Sequence, residues 1–453
     1  MSINPVNNRE IIVDLFAGGG GASCGIELAL GVSPDIAINH DPEAIALHEA
    51  NHPNTVHYIN DVFEIDPNVV APGRKVGLLW LSPDCKHFSK AKGGKPKDKK
   101  IRSLAWVGIK WAKIKRPRVI ILENVEEFKD WGPICKDGKP IEHKKGETFK
   151  KFIKEFYKLG YKVEYKELRA CNYGAPTTRK RFFMIARCDN EPIVFPEPTH
   201  GKGLLPYKTA ADIIDWSIPS YSIFMTKEDV KEQKLGNRVK RPLAANTMER
   251  IAKGLKRFVI DNPNPYFADN ALPFITTYYG KTEKSKARGQ TLDNPIATIT
   301  SGGLRHGLVI PYVVGIDNKS SNGVWDGKDP LTTITSKARH CLVNAFLTKY
   351  YGQSDAQDLQ EPIHTITTKD RFGLVTIKSE QYQIEDIYLR MLTPRELYRG
   401  QGFPDSYKID IIKPDGKPLP GTAQVRMCGN SVPPPLVKAL VKANFKIKMK
   451  ELI

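Results

Sequence analysis

Cys85 follows a short apolar run and precedes a strongly basic stretch in Leu81-Ser-Pro-Asp-Cys-Lys-His-Phe-Ser89. A thiolate is the nucleophilic form of cysteine, and Lys86, Lys90 and Lys92 favour it, whereas Asp84 opposes it unless its side chain turns away. Taken alone, Cys85 can equally be a small buried apolar residue. Glu123, in Ile120-Ile-Leu-Glu-Asn-Val125, offers a carboxyl group able to act as an acid beside a nucleophile, or to serve as a helix cap or ion-pair partner. Arg179 and Arg181, in Pro176-Thr-Thr-Arg-Lys-Arg-Phe182, supply two cations that favour a thiolate, or form a solvated strand end. In Asp14-Leu-Phe-Ala-Gly-Gly-Gly-Gly-Ala22 the glycines permit a tight turn and close approach of a ligand to the backbone. The run is not the dinucleotide fingerprint, because Ser23 stands where the last glycine of G-x-G-x-x-G belongs, so a simple turn is also open.

These groups need a scaffold. The first 190 or so residues alternate apolar runs with amphipathic stretches, the pattern of a doubly wound α/β sheet. Strands are expected at 11–16, 35–39, 76–82, 119–123, 163–169 and 182–187, with helices near 22–30, 41–51, 103–115 and 146–159. Ligands in such folds bind beyond the carboxyl ends of the strands, which is where Phe16, Cys85 and Glu123 fall.

After Phe195-Pro196-Glu197-Pro198 the chain becomes richer in Thr, Tyr, Pro and Gly, which predicts a boundary into a smaller β-rich region. Three tandem copies of one unit occupy 273–375, a length per copy suited to a stacked supersecondary unit. Each carries a Thr-Ile-Thr alternation, which places Ile inward and the threonines outward, and an arginine ahead of a Leu-Val strand: Arg305, Arg339 and Arg371. These arginines face DNA or are solvated turn residues. The expected division is a domain over 1–195 completed by a C-terminal helix within 425–453, and a second region over 196–424 that contains the repeats at 273–375 and a further motif at 390–405.

Lys+Arg 69 against Asp+Glu 50 gives a net charge of +19, which suits a polyanion, nucleic acid first, or serves solubility alone. Seven cysteines without a C-x-x-C pair suggest neither a disulfide framework nor a zinc knuckle, so no metal is expected and the compartment reads as reducing. No stretch approaches the roughly 20 apolar residues of a membrane span, and a cytoplasmic, monomeric protein that needs no membrane is the expectation.

The order Phe-Ala-Gly-Gly-Gly-Gly, Pro-Asp-Cys-Lys-His-Phe-Ser, Glu-Asn-Val, Thr-Thr-Arg-Lys-Arg, Gln-Gly-Phe-Pro and Gly-Asn-Ser-Val resembles the cytosine-5 DNA methyltransferases. The match covers about 190 residues at the N-terminal end and about 65 at the C-terminal end, leaving the middle to a variable recognition region. The resemblance implies a Rossmann-like class I methyltransferase domain with a target recognition domain, S-adenosylmethionine as methyl donor and double-stranded DNA as partner, in a bacterial or phage-infected cell. It implies that Phe16 stacks on the adenine, that Gly18, Gly20 and Gly21 shape the turn, that Asp61 bonds the adenine amine, and that Asn430 and Ser431 close the pocket. Asn39 occupies the place of the acidic residue that contacts the ribose hydroxyls, with His40 and Asp41 beside it. Cys85 is implied to add to carbon 6 of a flipped cytosine while Glu123 holds or protonates ring nitrogen 3 and Arg179 and Arg181 position the base. Lys90, Lys92 and Lys95 lie where the family has a mobile loop that closes on the DNA backbone. The sequence departs from the family pattern at Asp84, where proline is usual, and at Thr177, where glutamine is usual. A tRNA methyltransferase of the same superfamily and an inactive DNA-binding regulator are the competing readings. The long repeat-bearing insert favours DNA over tRNA, and the intact Cys85, Glu123, Arg179 and Arg181 set favours an enzyme.

Overall fold

The computed structural model describes residues 9–83, 104–133, 135, 140–236, 239–268, 271–278, 288–315, 374–377 and 380–448. Strands β1 (Ile11–Leu15), β2 (Ile36–Asn39), β3 (Val56–Ile59), β4 (Val76–Leu81), β5 (Val119–Asn124), β6 (Lys162–Arg169) and β7 (Lys180–Arg187) form one sheet in the order β3-β2-β1-β4-β5-β7-β6. β1, β4 and β5 are runs of almost unbroken apolar residues, buried along their whole length, as central strands covered on both faces must be. The sheet is not wholly parallel: β7 runs antiparallel to both β5 and β6, reversing after the short turn through Gly174. β3 is an edge strand with exposed and half-buried side chains, and so leaves no apolar run to read.

Helix α1 (Gly21–Leu30) stops at Gly31, whose φ of 73° is the left-handed conformation that ends helices. Helix α2 (Pro42–Asn51) starts at Asp41, whose carboxylate accepts from the Glu43 amide, with Pro42 in the first turn. The helix Glu147–Lys158 buries Phe149, Phe152, Ile153 and Phe156, a stripe at helical spacing. One face of the sheet buries Trp111, Phe128, Phe152 and Phe156. The other buries Ile26 of α1 against Leu436, Val437 and Leu440 of the helix Pro434–Asn444.

The chain forms two compact units, one of Met1–Ile213, Pro295–Gly303 and Pro394–Ile453, the other of Ile214–Asn294 and Leu304–Thr393. The first is wider than the stretch 1–195 plus 425–453 expected for the catalytic domain. The second unit is built on an antiparallel sheet: β9 (Phe274–Thr277), β10 (Gly289–Thr291), β11 (His306–Gly315), β12 (Leu374–Ile377) and β13 (Glu380–Met391) lie in the order β10-β9-β11-β13-β12, and β8 (Tyr221–Ser222) pairs with β13. Its core sets Phe274, Val309, Ile387 and Leu389 against Met248, Ile251 and Leu255 of a helix, Ala245–Leu255. That helix is a difference from the expected loss of helical periodicity.

The first repeat copy contributes β9, β10 and β11. Its Thr-Ile-Thr stretch is not a strand: Ile299 is buried, Thr298 and Thr300, expected outward, are half-buried, and the segment Pro295–Gly303 groups with the first unit. The corresponding stretches of the second and third copies lie outside the described residues. Among the described residues no helix is long and apolar enough to cross a membrane.

Candidate active site

The parallel register sets Leu15 opposite Leu81 and Leu81 opposite Leu122, so Phe16, Ser82 and Glu123 follow at one carboxyl edge. At that edge Phe16 takes a φ of 65°, and its carbonyl accepts from the Gly18 amide at 2.7 Å. Gly20 has a φ of 78° and caps α1. A Cβ on Gly20 would lie 2.0 Å from the Tyr407 hydroxyl, and one on Gly21 would lie 2.3 Å from the Val432 carbonyl, so neither position admits a side chain. Tyr407 itself donates to the Gly19 carbonyl at 2.9 Å. Gly18 differs, because a Cβ there would meet only the Phe16 carbonyl, at 3.8 Å. The turn is therefore clamped on the side of Gly20 and Gly21 and open at Gly18.

Residues from the far end of the chain complete the turn. Ser431 is buried, donates to the Met427 carbonyl at 2.8 Å and packs beside Gly19 and Gly21. Asn430 is exposed at the end of the helix Gly421–Asn430. At the end of β2, Asn39 accepts from the Asp41 amide at 2.9 Å. Asp41 is engaged by Arg426, whose guanidinium also donates to Glu43 at 2.9 Å. Burial raises the Asp41 carboxyl, but Arg426 outweighs it and holds the group below the usual carboxylate range. Asp61, after β3, accepts from the Phe63 amide at 3.1 Å.

Beneath the turn, Asp14 is fully buried, and burial pushes it up to about 7 against the pull of the Ser23 hydroxyl, which donates to its Oδ2 at 2.7 Å. Its Oδ1 is buried with no hydrogen-bond partner among the described residues. A buried acceptor in want of a donor, below an open glycine face, fits a ligand that carries positive charge and hydrogen-bond donors, as S-adenosylmethionine does.

Glu123 is the penultimate residue of β5 and is buried, with Arg181 Nε at 3.2 Å. Burial raises its carboxyl above the ordinary range, opposed by Arg181, by Arg179 and by a hydrogen bond from Ser82. The antiparallel β7, with Arg181 in it and Arg179 just before it, delivers both cations to this edge, since its pairing sets Phe183 opposite Glu123. Arg179 is buried and donates to the Ile299 carbonyl at 3.1 Å. The returning segment is secured by the Thr178 amide on the Ile296 carbonyl and by the Ile296 amide on the Pro176 carbonyl, both at 2.9 Å. A Cβ on Gly429 would lie 2.2 Å from the Thr300 carbonyl carbon, so the helix Gly421–Asn430 also meets this segment closely.

The structure thus brings Phe16, Gly18, Gly20, Gly21 and Ser431 to one turn, and Glu123, Arg179 and Arg181 to one carboxyl-edge cluster. Cys85, Lys90, Lys92, Lys95, Arg339 and Arg371 lie outside the described residues; Pro83, two positions before Cys85, accepts from Asn124 Nδ2 at 3.2 Å. Arg305 is in the second unit, exposed and immediately ahead of β11, with its guanidinium 3.4 Å from the Tyr278 carbonyl. Sequence reasoning missed Tyr407, Arg426, Ser23, His48 and the segment Pro295–Gly303. Tyr407, in Gln401-Gly-Phe-Pro-Asp-Ser-Tyr407, and Ser23, just past the glycine run, lay beside motifs already singled out, and Pro295–Gly303 within the first repeat copy, whereas Arg426 and His48 carried no local signal.

A sheet in this order, with a clamped glycine turn after β1 and a buried acid near the end of β5, matches the doubly wound α/β fold that the resemblance to class I methyltransferases implies. The chain belongs to the C-5 cytosine-specific DNA methylase family, whose sequence profile matches residues 11–446. It is 30% identical over 207 residues to the type II methyltransferase M1.HphI of Haemophilus parahaemolyticus, covering 45% of this chain and 51% of that protein. It is 29% identical to the type II methyltransferase M.AquIA of Picosynechococcus over 46% of this chain and 89% of that protein. DNA (cytosine-5)-methyltransferase 3 of Arabidopsis thaliana is 25% identical over 96% of this chain and 30% of its own length. The match thus spans about half the length of the first of these relatives and under a third of the last.

Proposed function

We propose that the protein is an S-adenosylmethionine-dependent DNA (cytosine-5) methyltransferase, a modification enzyme of the restriction-modification or solitary phage type, with Cys85 as nucleophile. The observation that carries this reading is the buried Glu123 held by Arg181 at the carboxyl edge beside the end of β4, two residues past which the chain reaches Pro83 and then Cys85. Cytosine carbon 5 is a poor nucleophile until a group adds at carbon 6, and a proton on ring nitrogen 3 lowers the cost of that addition. The Cys85 thiolate forms the bond to carbon 6, and Glu123, which burial keeps closer to its protonated form, gives or shares its proton at nitrogen 3. Arg181 fixes the Glu123 carboxyl, and Arg179, tied to the Ile299 carbonyl, adds positive charge that favours the thiolate. Once carbon 5 carries the methyl group, its proton passes to water, and the bond from Cys85 to carbon 6 breaks by elimination.

Phe16, Gly18, Gly20, Gly21, Asn39, Asp61, Asn430 and Ser431 would hold S-adenosylmethionine, which when bound supplies an electrophilic methyl group. The target base inside a duplex is out of reach and is flipped into the pocket. Lys90, Lys92, Lys95, Arg305, Arg339 and Arg371 contact DNA phosphates, and the second unit supplies target recognition. The test offers radiolabelled S-adenosylmethionine with duplex DNA and tRNA in parallel, followed by bisulfite sequencing. DNA labelling at cytosine is expected, with a trapped adduct on a 5-fluorocytosine duplex and none in Cys85→Ser. Labelling of RNA alone, or DNA binding without an adduct, overturns the reading.

A further inference from the structure

A continuous line of short hydrogen bonds leaves the glycine turn and runs outward through the first unit. Asp14 Oδ2 meets Ser23 Oγ at 2.7 Å, Ser23 Oγ meets His48 Nε2 at 2.8 Å, and His48 Nδ1 meets His57 Nε2 at 2.8 Å. Asp14, Ser23 and His48 are fully buried, and His57 is half-buried on β3. A neutral histidine donates through one ring nitrogen and accepts through the other, and the Ser23 hydroxyl, with its single proton, can donate to one neighbour while it accepts from the other. Asp14 is the penultimate residue of β1, which leads into the turn, and Ser23 lies in the first turn of α1, so their bond spans the glycine loop at its base.

We propose that Ser23, His48 and His57 are positioning residues that form a proton-conducting chain from the surface to Asp14, coupling the charge beneath the cofactor turn to solvent and making cofactor binding proton-linked. The proposal rests on the reading of the turn as the S-adenosylmethionine site. Two arrangements of the chain are possible. With Asp14 protonated, Asp14 donates to Ser23, Ser23 donates to His48 Nε2, and His48 Nδ1–H donates to His57 Nε2. With Asp14 ionised, every bond reverses: His57 Nε2–H donates to His48 Nδ1, His48 Nε2–H donates to Ser23, and Ser23 donates to Asp14. Going from the first to the second, the Asp14 proton passes to Ser23, that of Ser23 to His48, and that of His48 to His57, and one proton leaves His57 Nδ1 to water.

Burial places Asp14 at about 7, where a small bias decides its charge. S-adenosylmethionine carries positive charge on its sulfonium and ammonium groups, so it favours the ionised arrangement, and the demethylated product, without the sulfonium charge, favours it less. Burial, the larger influence on His57, favours release of its proton, while Glu49 and a hydrogen bond to the Thr55 backbone work against that release. Glu27 is paired with His52 at 2.9 Å, and burial holds Tyr407 and Cys24 in their neutral forms. Burial and the nearby rings of His52 and His57 keep His48 neutral throughout, as a relay through it requires.

Ring-nitrogen NMR of full-length protein without cofactor, titrated from pH 5 to 9, tests the chain. His48 is expected to change from its Nδ1–H to its Nε2–H tautomer near neutral pH, and addition of S-adenosylmethionine at pH 7 is expected to drive the same change. In Ser23→Ala both histidines lose this response while the fold is retained, and Ser23→Thr restores it. Calorimetry of cofactor binding in buffers of different ionisation enthalpy is expected to show about half a proton released at pH 7 and almost none at pH 9. A His48 tautomer that ignores both pH and cofactor, or a response that survives Ser23→Ala, overturns the proposal. Should S-adenosylmethionine fail to bind at all, the reading of the turn is lost, while the tautomer titration still decides the chain.

Discussion

Glu123 and Asp14 are both buried carboxyl groups raised by burial, yet their company differs. Glu123 has two guanidinium groups and a serine hydroxyl against it, while Asp14 has the Ser23 hydroxyl alone. Glu123→Gln keeps the shape and a hydrogen bond to Arg181 but has no proton to give, so methyl transfer in single turnover is expected to slow by on the order of 10²- to 10⁴-fold with the melting temperature little changed. Asp14→Asn is expected to behave in the opposite way. A carboxyl whose pKa rises from 3.8 to about 7 on folding gives stability that is complete below pH 3.8 and lost as pH climbs through 7. Removing it should therefore raise the melting temperature at pH 8, flatten its decline between pH 4 and 7, and weaken S-adenosylmethionine binding. An unchanged melting profile would show that Asp14 is not strained by its burial.

At the scale of elements, the glycine turn depends on a loop distant in sequence. Gly20→Ala forces a Cβ into the Tyr407 hydroxyl and asks a non-glycine residue to hold a φ of 78°. Each burden costs about 1–3 kcal/mol, so loss of cofactor binding and a clear fall in stability are expected in calorimetry and thermal melts. Tyr407→Phe, which removes only the bond to the Gly19 carbonyl, should cost about 1 kcal/mol. Apolar runs made β1, β4 and β5 legible to within a residue or two, since buried central strands must be apolar on both faces. The glycine turn, Glu123, Arg179 and Arg181 were legible as motifs. β3 was not, because its side chains are half in water, and the reversal of β7 was not, because alternation carries no direction. The Thr-Ile-Thr pattern predicted an inward Ile299 but not where that residue goes. Its partner, Arg179, is 120 residues away, and period-2 spacing says nothing of long-range pairing. The pairing of Tyr407 with Gly19 and of His48 with Ser23 was hidden for the same reason.

For the whole molecule, net charge and buried histidines set the response to salt and acid. With a charge of +19, DNA affinity should fall by on the order of 10³-fold or more from 50 to 200 mM salt if six or more phosphates are neutralised, and a flat profile would show that the cations do not meet the backbone. Acid acts on the two units through different groups. In the second unit His306 is almost wholly buried, and burial alone brings it down to about 4 from 6.5. A depressed histidine contributes stability that is present above pH 6.5 and lost as pH falls through 4, because the unfolded chain binds the proton first. In the first unit His48 acts with the same sign, while Asp14 opposes it between pH 4 and 7. Hydrogen exchange followed by mass spectrometry from pH 7 to 4.5, corrected for intrinsic rates, is therefore expected to show β9 and β11 losing protection as pH falls, with β1 and α1 changing less. His306→Gln should flatten the loss in β9 and β11 and leave β1 and α1 as they were. A parallel decline of all four elements that His306→Gln does not alter would mean that acid acts on the chain through its paired carboxylates, such as Asp41 and Asp189, and not through its buried histidines.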